Sequence, residues 1–161
     1  MRDREYDLFV DGDLFIVRWR NPTEAAARAL ASNLERQNGE HGAPLFFAIL
    51  IGPECPPPSK VVREVMLRQH DRIYELTKSV HVVVMPGTVR QTVMRSVMTG
   101  MKLAAGLRGQ PFCVDKTVPD LAQVIEKNLG RQPTELLLAM IESGMINHEE
   151  AGLPGPQDVA V

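Results

Sequence analysis

Residues 6–24 read YDLFVDGDLFIVRWRNPTE, and the order of signals inside them decides the fold. Two short apolar-rich runs, 6–10 and 14–19, flank Asp11-Gly12-Asp13, where glycine accepts the positive φ of a tight turn. This is an antiparallel hairpin whose second strand closes on Trp19 and Arg20. Asn21-Pro22-Thr23-Glu24 then starts a helix, with Asn21 as N-cap, Pro22 in the first helical position and Glu24 in the third. The helix is expected to run to about Asn38 and stop at Gly39, burying Ala26, Ala29, Leu30 and Leu34.

Downstream, helices alternate with apolar runs. Leu45–Ile51 is continuously apolar, as a strand buried on both faces should be. Gly52-Pro53-Glu54-Cys55-Pro56-Pro57-Pro58 breaks it, and Ser59 caps a helix expected over 60–78, with Val62, Met66, Gln69, Ile73 and Leu76 on one face. His81–Met85 is a second buried strand. Pro86-Gly87 turns the chain, and Thr88-x-x-Gln91 is a capping box for a helix to about Leu107. Phe112–Val114 is a short strand, Thr117 caps a helix to about Leu129, and Pro133 restarts a last helix to about Ser143. The order is β-β-α-β-α-β-α-β-α-α. Such alternation calls for parallel pairing with right-handed crossovers beside the opening hairpin. The expected fold class is α/β, a small mixed, mostly parallel sheet covered by helices. Residues 1–146 form a single domain and 147–161, with its LPGPQ stretch, a mobile tail.

A chain of 161 residues with 24% charged and 44% hydrophobic side chains suits one domain with a real core. Aromatics are few, at 5%, so stacking on bases or sugars is not expected to dominate, and the net charge of −2 points to no nucleic-acid partner. The charge is uneven. Residues 60–108 carry nine basic and three acidic side chains, whereas 1–59 carry six and nine and 109–161 carry three and eight. Two cysteines are too few for a disulfide framework or a zinc site, so neither metal nor cofactor is expected. No signal-peptide pattern opens the sequence and no apolar run reaches the ~18 residues of a membrane span. A cytoplasmic protein with no stable membrane insertion is expected.

In YDLFVDGDLFIVRW, the Asn21–Glu24 helix start, LFFAILIG, VHVVVMPG and PFCVDKTVPDLAQVIEKNL, the chain resembles STAS domains, in the bacterial anti-sigma-factor-antagonist-like and lipid-carrier-like branch. The resemblance covers roughly residues 6–129 and is one of pattern and order. It implies a non-enzymatic regulatory or adaptor domain of bacterial signalling that acts by binding another protein; the alternative it leaves is a small-ligand or lipid carrier. Phosphorylatable antagonists carry an Asp-Ser-type dipeptide between the third strand and the next helix. Here that place holds GPECPPPSK: Ser59 at the helix start is where the resemblance would put a phosphoryl group, but the chain departs from the family's pattern in having no neighbouring Asp.

The candidate partner surface follows from chemistry. Pro56, Pro57 and Pro58 make a stiff loop with little ordering cost on binding. Ser59 and Thr88 add hydroxyls at helix starts, and Arg63, Arg90 and Arg95 add positive charge for a partner with an acidic surface. Loops after adjacent parallel strands share one sheet edge, where open α/β sheets bind ligands. Val93, Met94, Val97, Met98 and Met101 form the apolar side of the 88–107 helix. With the final helix they could wall a carrier's pocket. No histidine pair has metal-ligand spacing, and no catalytic constellation stands out around Cys55 or Cys113, so an enzyme is not expected. The last helix is apolar around much of its girth. Leu136, Leu137, Met140 and Ile141 are therefore expected to form a homodimer interface, or else to cap the sheet within one monomer.

Overall fold

The computed structural model describes residues 4–87 and 89–157. The opening hairpin is β1 (Tyr6–Asp11) and β2 (Leu14–Trp19), joined through Gly12 at φ 60°. Then come α1 (Glu24–His41), β3 (Leu45–Ile51), α2 (Lys60–Leu76), β4 (Thr77–Val84), α3 (Val89–Leu107), β5 (Phe112–Asp115), α4 (Val118–Leu129) and α5 (Pro133–Glu142). The sheet order is β1-β2-β3-β4-β5, with β1 antiparallel to β2 and every other pair parallel. The expected α/β architecture and its order are therefore what the chain adopts. No helix among the described residues is long and apolar enough to cross a membrane.

Local differences have local causes. The cap of α1 is Thr23, not Asn21: its hydroxyl accepts from Ala26 N at 3.1 Å and donates to Glu5 Oε1 at 2.9 Å. That helix runs through Gly39 to end at Gly42, at φ 76°, where the backbone N–H bonds back to Asn38. Ala27, not Ala29, joins Ala26, Leu30 and Leu34 in the core, because at ~100° per residue Ala27 falls on the side of Leu30 and Leu34 and Ala29 on the opposite flank. Helix α2 stops at Leu76 because β4 already begins at Thr77. Ser59 and Thr117 start α2 and α4 with their hydroxyls, and Gly130 ends α4, as their side chains, or their absence, predict.

Strand alternation divides the core in two. Phe15, Val17, Trp19, Phe47, Val80, Val82 and Val84 meet α1, α2 and α3 on one face. Leu14, Ile16, Phe46, Ala48, Leu50, Val83 and Met85 meet α4 and α5 on the other. Burial on both faces explains why β3 and most of β4 carry no polar alternation.

The C-terminal stretch departs furthest from expectation. Set aside as a mobile tail from residue 147, it is instead docked through at least Leu153. Met145, Ile146 and Ala151 are buried beside α4 and α5, and Leu153 packs against them. Asn147 N donates to Glu150 Oε2 and Glu150 N to Asn147 Oδ1, a reciprocal turn that holds the segment's shape. The apolar residues of the final helix have a similar fate. Leu136, Leu137 and Met140 are buried in the chain's own core and Ile141 packs beside them. They cap the sheet within one monomer and are not free to form the dimer interface, which corrects that assignment. Leu138 is left exposed.

Candidate functional site

The parallel strands β2 to β5 end along one edge, and the Gly52–Ser59 loop and the start of α3 meet there. Gln91 is buried and donates from Nε2 to Gly52 O at 2.6 Å, while Met85 N donates to Ile51 O at 2.9 Å. A Cβ built on Gly87 would lie 2.8 Å from Pro53 Cβ, so glycine is what lets the two loops touch. The sequence expectation that these loops share one edge therefore holds.

The predicted surface residues take different places on that edge. Pro57, Ser59, Arg63, Arg90 and Arg95 are exposed, and Pro56 and Pro58 are half-buried. The Ser59 hydroxyl accepts from Val62 N at 3.3 Å as the cap of α2. Arg63 and Arg90 make no ion pair among the described residues. Arg95 is committed elsewhere: its Nε and Nη2 donate to Val84 O at 3.2 and 3.0 Å, closing the last carbonyl of β4. It belongs more to the fold than to a free basic patch. Thr88 lies outside the described residues.

Beside this edge is a charged cluster that sequence reasoning missed. Arg18 projects from β2 toward the α4–α5 face and is only 3% exposed. Its guanidinium donates to Glu54 Oε1 at 3.0 Å, to Glu150 Oε2 and Oε1 at 2.7 and 2.9 Å, and to Met145 O at 3.0 Å. Arg20 ties in from the rim, to Asp7 at 2.9 Å and Glu54 at 2.8 Å. A Cβ on Gly52 would come within 2.6 Å of Arg18 Nη2, so this glycine makes room for the cluster.

Burial on its own would raise the Glu150 carboxyl. The Arg18 hydrogen bonds, the Asn147 backbone N–H and the Arg18 charge outweigh it and hold Glu150 below the usual glutamate range. Burial likewise acts to raise Glu54, and its backbone bond, Arg18 and Arg20 bring it down. For Arg18 burial favours the neutral form, but the two glutamates raise its pKa and keep it charged. The signal available in the sequence was an arginine inside the apolar strand LFIVRW, since a buried guanidinium must find carboxylates. What hid the partner was reading Glu150 as part of a tail.

A second buried polar pair lies on the same side of the sheet. His81 on β4 is 5% exposed and stacks on Phe46 with ring centroids 4.5 Å apart. Its Nδ1 is 2.9 Å from Asp115 Oδ2 on β5, so the pair pins the edge strand. Cys113 is the register partner of His81, yet its thiol is pushed up by burial and by Asp115. Cys55 is pushed up to about 11, by burial first and then by Glu54, against the pull of Arg18. Neither is poised as a thiolate nucleophile. Among the described residues no three His, Cys, Asp or Glu side chains gather as a metal site would need.

Two hollows are open to solvent. One, of about 480 Å³, is lined by Arg4, Asp7, Arg20, Asn21, Glu54 and Pro56. The other, of about 320 Å³, lies between α1 and α2, where Arg72 bridges to Glu35 at 2.7 Å. Helices α3 and α5 cover opposite faces of the sheet, so among the described residues they do not wall the common pocket that the carrier alternative would need.

The methionine-bearing helix also differs from its expected single apolar side. Met94 is buried and Met98 packs against the core, but Val93, Val97 and Met101 face solvent. No family model, no curated protein and no solved structure matches this chain.

Proposed function

We propose that this chain is a non-enzymatic regulatory or adaptor domain, STAS-like in organisation, that binds another protein at the edge where the 52–59 loop, α2 and α3 begin. The observation that carries this reading is the state of Arg63 and Arg90. Both are exposed and unpaired among the described residues, and exposed Val61 and Val89 lie beside them in sequence on the same helix starts. Unpaired cations next to bare apolar side chains, on two helix starts of which one follows a loop stiffened by three prolines, suit a partner with an acidic surface. The order of a hairpin followed by alternating helices and strands supports the STAS-like reading, and Ser59 is where phosphorylation would add negative charge beside Lys60 and Arg63.

The test is quantitative capture from a native bacterial lysate by the full chain and by R63E/R90E. Arg95 is left intact because it holds Val84 O. The charge-reversed chain should lose its specific partner, and the salt dependence of capture should fall with it. A partner retained equally by both chains rejects this surface. A small molecule of constant mass co-purifying in native mass spectrometry would favour a carrier instead.

A further inference from the structure

Helix α3 has two apolar faces. Gln91, Met94 and Ala105 are buried, with Met98 beside them against the sheet. On the far side Val89, Val93, Val97, Met101, Leu103 and Leu107 are 38–92% exposed. Val89, Val93, Val97 and Met101 follow one another at intervals of four, each step advancing ~40° around the helix, and so form one slanting row. A row like this has no reason to be bare in an isolated domain. Together with Leu103 and Leu107 its side chains expose on the order of 600 Å², at the upper end of what a monomer leaves uncovered. That is most of the ~800 Å² one partner contributes to a standard interface.

Charge narrows the occupant. The stretch 89–108 holds Arg90, Arg95, Lys102 and Arg108 and no acidic residue. With Arg95 spent on Val84 O, three cations remain unpaired among the described residues. Arg90 lies at the start of α3 and Arg108 directly follows its last residue, so the two cations bracket the row at its two ends, about 27 Å apart along the axis. A second copy of this chain is disfavoured, because two-fold antiparallel pairing of α3 would set Arg90 of one copy against Arg108 of the other. A lipid surface is disfavoured as well. Interfacial helices insert Trp, Phe and Leu, whereas this helix has no aromatic residue and its row is mainly valine. Short side chains interrupted by Gly100 and Ala104 leave a shallow, continuous track that another helix can enter.

We propose that α3 is a docking face for an amphipathic helix of a partner protein, one with an apolar stripe flanked by glutamate or aspartate near both ends. This rests on the protein-binding reading above and gives it a partner chemistry.

The probe is a synthetic helical peptide of about 21 residues, long enough to span the ~28 Å of α3, with leucine at helical spacing and glutamate beside it. Binding to the full chain is read by fluorescence anisotropy. The expected result is saturable binding that V93E and V97E each weaken roughly tenfold or more, with Tm unchanged because both sites are exposed. R90E/R108E should weaken it and flatten its salt dependence.

Equal binding of a proline-interrupted peptide of the same composition would overturn the helix, while an acidic partner would stand. A cellular partner lost on R63E/R90E but kept on V93E/V97E would overturn this docking face and leave protein binding intact. Co-sedimentation with phosphatidylserine vesicles, abolished by V93E/V97E without any peptide binding, would overturn both. Concentration-dependent dimerisation abolished by V93E/V97E would show that a second copy covers the row, and would also overturn the proposal.

Discussion

Replacing Arg18 by methionine is the sharpest test of how the two ends of the chain are joined. Methionine fills similar space and removes the charge, so what is lost is the set of hydrogen bonds to Glu54, Glu150 and Met145 O. Breaking a buried ion pair on one side costs about 3–5 kcal/mol, because the abandoned partner stays buried. Glu54 escapes much of that cost: its side chain is 41% exposed and keeps its bond to Arg20. Glu150, at 18%, keeps only the Asn147 N–H.

The lower end, ~3 kcal/mol, is therefore expected, and with ~2.1 cal/mol/K per residue of unfolding entropy that is a Tm fall of roughly 9 °C. The pH dependence supplies a second readout. Without Arg18 the main opposition to burial is gone and the Glu150 carboxyl rises. The folded mutant then takes up a proton more readily than its unfolded chain, so its stability grows as pH falls through the raised pKa. The gap between wild type and R18M, measured by urea unfolding, should be widest at neutral pH and narrow in acid. A deficit under about 1 kcal/mol, or one that does not change with pH, would refute the view of Arg18 as a charge clamp.

Other perturbations follow from the same geometry. Glu54, Glu150 and Asp13 are all held below their ordinary values, so their contribution is complete above the unfolded carboxylate range, about pH 4.5, and is lost as pH falls through the lowered folded values. Wild-type Tm should be flat from pH 7 to 5 and drop below that range, with a smaller drop in E150Q; an acid limb identical in E150Q would remove Glu150 from the account. Truncation after Gly144 deletes buried Met145, Ile146 and Ala151 together with Glu150, a loss of ~5 kcal/mol or more. The shortened chain should lose cooperative unfolding and bind a hydrophobic dye; a cooperative transition within a few degrees of the full chain would show that the segment is dispensable.

The sequence was most legible where one physical signal acts alone. The Asp11-Gly12-Asp13 turn, the continuously apolar β3 and the caps at Ser59 and Thr117 each have one reading, and the topology follows from their order. It was least legible where two readings share one composition. The run Leu136–Ile141 looks like an interface or a core helix according to what it faces, and periodicity alone does not say which. Exposed α3 residues such as Val93 and Val97 likewise sit in a pattern that fits a core stripe as well as a bare one. The pairs Arg18–Glu150 and His81–Asp115 join residues 132 and 34 positions apart. Nothing local announces them, except that a charged or imidazole side chain in an apolar strand must have a partner somewhere. Proline and glycine in the last fifteen residues suggested looseness, and buried Met145, Ile146 and Ala151 before them, with Leu153 packed against the core, outweigh that local signal.

The uneven charge of the sequence becomes a charge map in space because of how the chain winds. Successive parallel strands are added in one direction, so α1, α2 and α3 all cover one face of the sheet, while α4 and α5 close the other. The basic stretch 60–108 is α2, β4 and α3, and the acidic stretch 109–161 carries α4, α5 and the docked C-terminal segment. Opposite charge is thereby sorted to opposite sides of a five-stranded sheet. The internal ion pair between Arg18 and Glu150 draws on the acidic side for stability. Unpaired cations of the other side have no such use within the fold. An approaching acidic partner would be steered to the α2–α3 side and repelled from the α4–α5 side before any contact forms, so the on-rate should carry most of the salt dependence. Dissociation should be set instead by the apolar row on α3, which salt does not screen.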